Sequence, residues 1–375
     1  MQRRRVLRPE APLLRRGPGE VQVGTDPRWS VRLAGLEPGE EEWLRALASP
    51  AARRPDGDAA GPPTAPGRRA ALVRLLEEAH LLVPARRRRP VSPAPGNGAA
   101  DVGVLSALRP DGAGHRVLAS RARATVAVVG LGRVGAALAA HLATAGVGTV
   151  VLEDRGTVLA TDVGVGAYRL RDVGTPRETA VRRLVEEVAP GVVVTAGTGA
   201  GAGAPVDDRV TGARGRVPDV VVVVEHGAAD PERVGRLVGE GVAHLSVVVR
   251  EADVVVGPFV RPGLDPCLTC VDLHHADADP CWPQLARQLR DGRVRAAEES
   301  SLAASAAAVA LGQVLAALDG LVPRAATARI EIPAPDAVPR LRETGRHPRC
   351  GCDELARTPP DGASLTMSGR RRGAD

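Results

Sequence analysis

The chain has 375 residues, 44% of them hydrophobic and only 1% aromatic, with 50 basic against 44 acidic side chains and a formal charge of +6. All the basic residues are arginine, which excludes any site that needs a lysine ammonium. No apolar run follows "MQRRR", so no secretory signal is predicted, and the length is ample for two or three domains with a real core.

The charge is uneven. Residues 1–125 hold 22 Arg against 13 acids, whereas residues 126–375 hold 28 against 31. The surplus therefore lies at the front. Residues 1–84 open with the strand-like runs "EVQVGT" and "WSVRLAG". Two helices follow, "LEPGEEEWLRALA", with acids in its first turn, and "RRAALVRLLEEAHLL", with a flexible insertion between them. The pattern predicts a small winged-helix-like module.

Residues 85–123 begin with "ARRRRPVSPAPGNGAA", which reads as a solvated linker, followed by a connecting helix. The arginine run has no stacking aromatics beside it, so it argues little for nucleic acid. From 124 to 356, valine-rich strands alternate with helices: "ATVAVVG", "GTVVLED", "GVVVTA", "DVVVVVE", "HLSVVV" and "DVVVGPFV". This predicts a parallel, Rossmann-like α/β sheet. "SLAASAAAVALGQVLAAL" reads as a buried helix rather than a membrane span. Residues 357–375 are rich in Pro, Gly and Arg and read as a disordered tail. A soluble cytoplasmic protein is the expectation.

"GLGRVG" joins the first of these strands to its helix. Gly130, Gly132 and Gly135 would let amides at the helix N-terminus approach a phosphate. Glu153 and Asp154 end the next strand, where a carboxylate can bond a ribose hydroxyl. An NAD-dependent oxidoreductase fits this pattern, although the chain shows no hydride-transfer constellation.

The stretch "VAVVGLGRVGAALAAHLATAGVGTVVLEDRGTVLATDVG", with "RDVGTPR" beyond it, resembles the opening of the ThiF/MoeB/HesA family, the ubiquitin-activating-enzyme-like fold. The resemblance spans roughly residues 120–352. It implies ATP as cofactor, and adenylation of a C-terminal carboxylate on a small protein or peptide. It also implies a structural zinc held by cysteine pairs. "DPCLTC" and "HPRCGC" supply Cys267, Cys270, Cys350 and Cys352, two close thiol pairs that suit one tetrahedral ion. A reducing cytoplasm argues against disulfides here. His274, His275 and His347 are substitute ligands, and Cys281 is left over as a buried structural thiol.

The chain departs from the adenylating members at the residues that hold ATP. Their Asn-x-x-Arg stretch is matched by Asp162 to Val165, so the Arg is gone, and the lysine position is Arg177. Their magnesium-binding Asp has only Glu225 or Asp230 as stand-ins, and the second Asp of D-x-D is Gly156. Among the implied cofactor contacts, the glycines, Asp154 and Arg177 remain. The expectation is an eroded adenylation site.

"APLLRRGPGEVQVGTDPRWSVRLAGL" and "VGPFVRPGLDPCLTCVDLHHADADPCWPQLARQL" resemble the ThiF-like cyclodehydratase partners, or leader-peptide-binding proteins, of azole-forming peptide clusters. That resemblance implies a peptide leader bound along a sheet edge, with Val23 expected in the edge strand and Arg15, Arg16, Arg28 and Arg32 nearby. It also implies a separate YcaO-type enzyme as partner, and the wider family implies a homodimer.

Overall fold

The computed structural model describes residues 5–8, 11–48, 66–84, 98, 100–164, 166–196, 217–291 and 296–352. The insertion between the first two helices, most of the arginine-rich linker and the C-terminal tail lie outside these. The chain divides into two units, one formed mainly by residues 1–123 and the other by most of residues 124–375.

In the first unit, β1 (Arg5–Leu7) pairs antiparallel with β5 (Leu82–Pro84). Strands β2 (Leu13–Gly17), β3 (Glu20–Val23) and β4 (Val31–Leu33) form an antiparallel sheet in that order. The helices are α1 (Pro38–Ala48), α2 (Pro66–Glu78), α3 (Asp101–Ala107) and α4 (Gly114–Arg121). Alternation in β3 turns Val21 and Val23 into a core with Leu33, Trp43, Leu44 and Leu76. Val23 is fully buried in the central strand, which corrects its expected place at an edge. The arginine-rich run "LLRRG" hides the third strand, because its middle residues face solvent and carry no apolar alternation.

The second unit is built on an eight-stranded sheet of order β13-β12-β11-β10-β9-β6-β7-β8. Five strands are parallel: β6 (Thr125–Val129), β7 (Thr149–Glu153), β8 (Val193–Ala196), β9 (Val220–His226) and β10 (His244–Val249). Their crossovers include α5 (Arg133–Thr144), α6 (Arg177–Val188) and α7 (Pro231–Gly239). The valine runs of the central strands β6 and β9 are buried on both faces, as interior parallel strands require.

β11 (Asp253–Val260) instead runs antiparallel to β10, a correction to the parallel reading. Only Arg250, Glu251 and Ala252 separate the two strands, which suffices for a hairpin and is far too short for a crossover. α8 (Leu268–Ala278), α9 (Trp282–Arg290) and α10 (Ser300–Leu318) follow. Then β12 (Ala328–Pro333) and β13 (Arg340–Glu343) extend the antiparallel end. α10 is long and apolar enough by composition to cross a membrane, with mean hydropathy 1.8. It packs against β10, β11 and β12, and Ala306, Ala307, Ala310 and Val314 are fully buried.

Candidate functional site

The glycine loop lies at the C-terminal ends of β6 and β9. Gly130 has φ +84°, and a Cβ there would stand 2.2 Å from the Val224 carbonyl oxygen. A Cβ at Gly135 would stand 1.9 Å from the Gly130 oxygen, so glycine lets α5 close onto the loop. Both are explained by chain packing alone. Gly132 differs, because the atom its Cβ would meet, at 1.9 Å, is Oε1 of Glu298.

The two other residues implied to touch a nucleotide are bonded to the protein. Oδ2 of Asp154 accepts from the Leu131 N–H at 2.7 Å and from Arg177 at 3.2 Å, while Oδ1 accepts from the Gly156 N–H at 2.7 Å. Arg177 is 3% exposed and also donates to Asp162 at 2.6 Å. Asp162, at the start of the stretch that replaces Asn-x-x-Arg, therefore turns inward to neutralise the arginine. Val165, at its end, lies outside the described residues.

Neither stand-in for the magnesium ligand is poised for a cation. Glu225 accepts from the Asp230 N–H at 3.2 Å and pairs with Arg233 at 3.3 Å; burial raises its pKa, against the pull of Arg233. Asp230 caps α7 by accepting from the Glu232 N–H at 3.0 Å.

At the other end of the sheet, α8 carries Cys270, with Cys267 as its N-cap, and the segment after β13 returns Cys350 and Cys352 to them. The sulfurs are 3.9 Å apart for Cys267–Cys270, 3.6 Å for Cys267–Cys350 and 3.5 Å for Cys270–Cys352. All four Sγ atoms lie within 4.8 Å of one another and could hold a metal ion. Tetrahedral thiolates about 2.3 Å from a zinc sit roughly 3.8 Å apart, which these separations match. Without a cation, burial pushes the thiols of Cys350 and Cys352 upward, the latter to about 11, so these two are costly to ionise on their own.

The three histidines near the cysteines are engaged elsewhere. His347 is 2.7 Å from Asp277 through Nε2, and its Nδ1 accepts from the Arg349 N–H at 3.1 Å. His274 lies 3.2 Å from the Gly345 oxygen, and His275 stacks edge-on against Trp282 beside Arg329. Cys281 is exposed rather than buried, because it begins α9, a surface helix whose only fully buried residue is Ala286.

In the first unit, a groove of about 330 Å³ opens beside the start of β4. Arg28, Trp29, Val31, His80, Leu108 and Arg109 are among its lining residues. The Arg28 guanidinium lies 4.3 Å over the Trp29 ring.

Sequence reasoning missed Glu298. Its only local signal is the acidic pair before an alanine-rich helix, which reads as a cap. Glu299 fills that role, accepting from the Ser301 and Leu302 N–H groups. Glu298 reaches instead across 164 residues of sequence to the Val134 N–H.

A mostly parallel sheet with a glycine loop between β6 and α5, extended by antiparallel strands and tied to a four-cysteine cluster, defines a Rossmann-like α/β protein. The ThiF family model matches residues 107–352, about two thirds of the sequence. The chain belongs to the ThiF family. Among solved structures it is similar to E. coli MccB crystallised with ATP, at 18% identity and TM-score 0.67, covering 93% of this chain and 99% of that one. MccB crystallised with AMPCPP and MccA gives 17% identity and TM-score 0.68 over the same coverage. PaaA gives 17% and 0.64, over 89% of this chain and 98% of that one. No protein of curated function matches the sequence.

Proposed function

We propose that this chain is a ThiF-type scaffold which binds a peptide leader through its N-terminal unit and presents it to a separate, YcaO-type azoline-forming enzyme. The observation that carries this reading is the pairing of Arg177 with Asp154 and Asp162. The one cation at the family's lysine position is neutralised by two carboxylates and buried. Charge developing on an α-phosphate would find no free stabiliser in that group. With Leu131 N–H bonded to Asp154 and Val134 N–H bonded to Glu298, the loop as it stands does not fit a triphosphate.

The N-terminal unit supports the peptide half of the reading. β4 ends its sheet, and a strand laid along it would run beside the groove at Trp29. The MccB structures solved with MccA, which share this fold, make a peptide partner a natural expectation. Cys267, Cys270, Cys350 and Cys352 would hold a structural zinc, which supplies no chemistry to a reaction and fixes the segment after β13 against α8.

The second reading is an adenylyltransferase acting on the C-terminal carboxylate of a small protein or peptide. It is favoured by the match, over nearly the whole chain, to MccB crystallised with ATP. ATP–pyrophosphate exchange, assayed with peptides encoded beside the gene, separates the two. The scaffold reading expects background exchange with every peptide; robust exchange that disappears in Asp154→Ala would establish the enzyme instead.

A further inference from the structure

Glu298 stands two residues before α10, yet its side chain turns away from that helix and ends on the glycine loop. Oε2 accepts from the Val134 N–H at 2.7 Å, and Oε1 lies 3.2 Å from His226 Nε2. The side chain is 5% exposed. Its main chain is held as well: the Glu298 carbonyl oxygen accepts from Arg133 at 2.7 Å, and the same guanidinium reaches Ser300 Oγ at 2.9 Å. His226 Nδ1 lies 3.1 Å from the Ala296 oxygen, so the residue two before Glu298 is held at the end of β9.

Three facts together define what this carboxylate does. It bonds an amide in the first turn of α5, where the helix dipole favours a negative charge. It takes up the space left by the missing side chain of Gly132, the one loop glycine that chain packing does not explain. It is not needed to cap α10, because Glu299 does that. A carboxylate with these contacts occupies the place in which a phosphate would sit.

We infer that Glu298 is an internal occupant of the glycine loop's anion site, which keeps the loop closed to a nucleoside triphosphate until the side chain withdraws. This deepens the scaffold reading and rests on it for the expectation that the natural chain turns over no ATP. Glu298's share of the closure is a property of one removable side chain, whereas the neutralised Arg177 is built into the core of the site.

The test is calorimetric titration of the full chain, E298A and E298Q with magnesium ATP and, separately, with inorganic tripolyphosphate. E298A should bind both at least about tenfold more tightly than the natural chain. E298Q, which keeps an acceptor for the Val134 N–H but not the charge, should fall between them. Thermal melts confirm that each variant is folded, and should E298A fail to fold, E298Q alone decides, with an expected gain of about threefold or more. Affinities unchanged from the natural chain in the folded variants would overturn the inference. Pyrophosphate exchange by E298A separates the two readings: tighter binding without exchange supports both, and tighter binding with exchange keeps the closure while removing the scaffold reading.

Discussion

The Arg177 guanidinium and the Asp162 carboxylate lie 2.6 Å apart, with side-chain exposures of only 4% and 10%. Asp154 completes the cluster at 3.2 Å from the same guanidinium, and burial works against the arginine's charge while both carboxylates hold it. Arg177→Ala would strand two carboxylates in a dry site, and breaking a buried ion pair from one side costs about 3–5 kcal/mol. Chemical denaturation should show a loss of that size. Arg177→Met paired with Asp162→Leu should recover much of it, and a single-variant loss below about 1 kcal/mol would mean that the cluster is solvated.

The cysteine cluster makes a metal prediction. Protein purified under reducing, metal-replete conditions should contain about one zinc per chain by elemental analysis. Cys270→Ser and Cys350→Ser should each lose it and melt at lower temperature, because binding free energy at such a site is folding free energy. Full occupancy in both variants would assign the ion elsewhere.

The peptide edge can be tested at Arg32. Gly24 N–H donates to the Pro12 carbonyl, so by alternation along the antiparallel ladders Gln22 faces β2. Its β4 partner Arg32 then points its main-chain groups to the free edge. Arg32→Pro removes an outward donor without touching the β3–β4 bonds, a position where strands tolerate proline. Circular dichroism should show a folded protein, and binding of a leader peptide should fall about tenfold. Arg16, paired on the surface with Glu20 at 2.8 Å, should matter less, about 0.2–1 kcal/mol on mutation to Ala. Equal binding by the folded Arg32→Pro protein would rule out strand addition at β4.

His244 gives a pH prediction. It is fully buried in β10, Nδ1 donates to the Val242 oxygen at 2.9 Å, and Nε2 has no partner. Burial lowers its pKa below the usual 6.5. The unfolded chain therefore binds a proton that the folded one refuses, and stability falls as pH drops below about 6.5. His244→Leu should flatten that slope between pH 7.5 and 5.5 in urea titrations; an unchanged slope would place the titration in other groups.

The parallel half of the sheet was legible because its valine-rich runs, five in a row at 220–224, admit few other structures. The cysteine pairs were legible because their spacing is itself a chelation pattern. The first unit was less so: "LLRRG" is a strand whose exposed arginines hide the alternation, which made β3 look like an edge. α8, "LTCVDLHHADA", carries no apolar stripe; it buries Leu268, Cys270 and Val271 and packs beside α7 and α9. The contacts that close the glycine loop were illegible for a different reason. Val134 meets Glu298 and Arg177 meets Asp162 through long-range geometry, which no local periodicity records.

At the far end of the large sheet, Arg340, Leu341, Arg342 and Glu343 of β13 are all exposed, and Arg342 is paired with Glu331 of β12. A bare terminal strand is an invitation to any extended chain, and two arginines in four residues answer it with charge. An edge-to-edge approach by a second copy would bring guanidinium groups together before any ladder could form. Strand capture is thereby steered away from this edge, so the molecule can be crowded without stacking into fibrils through β13.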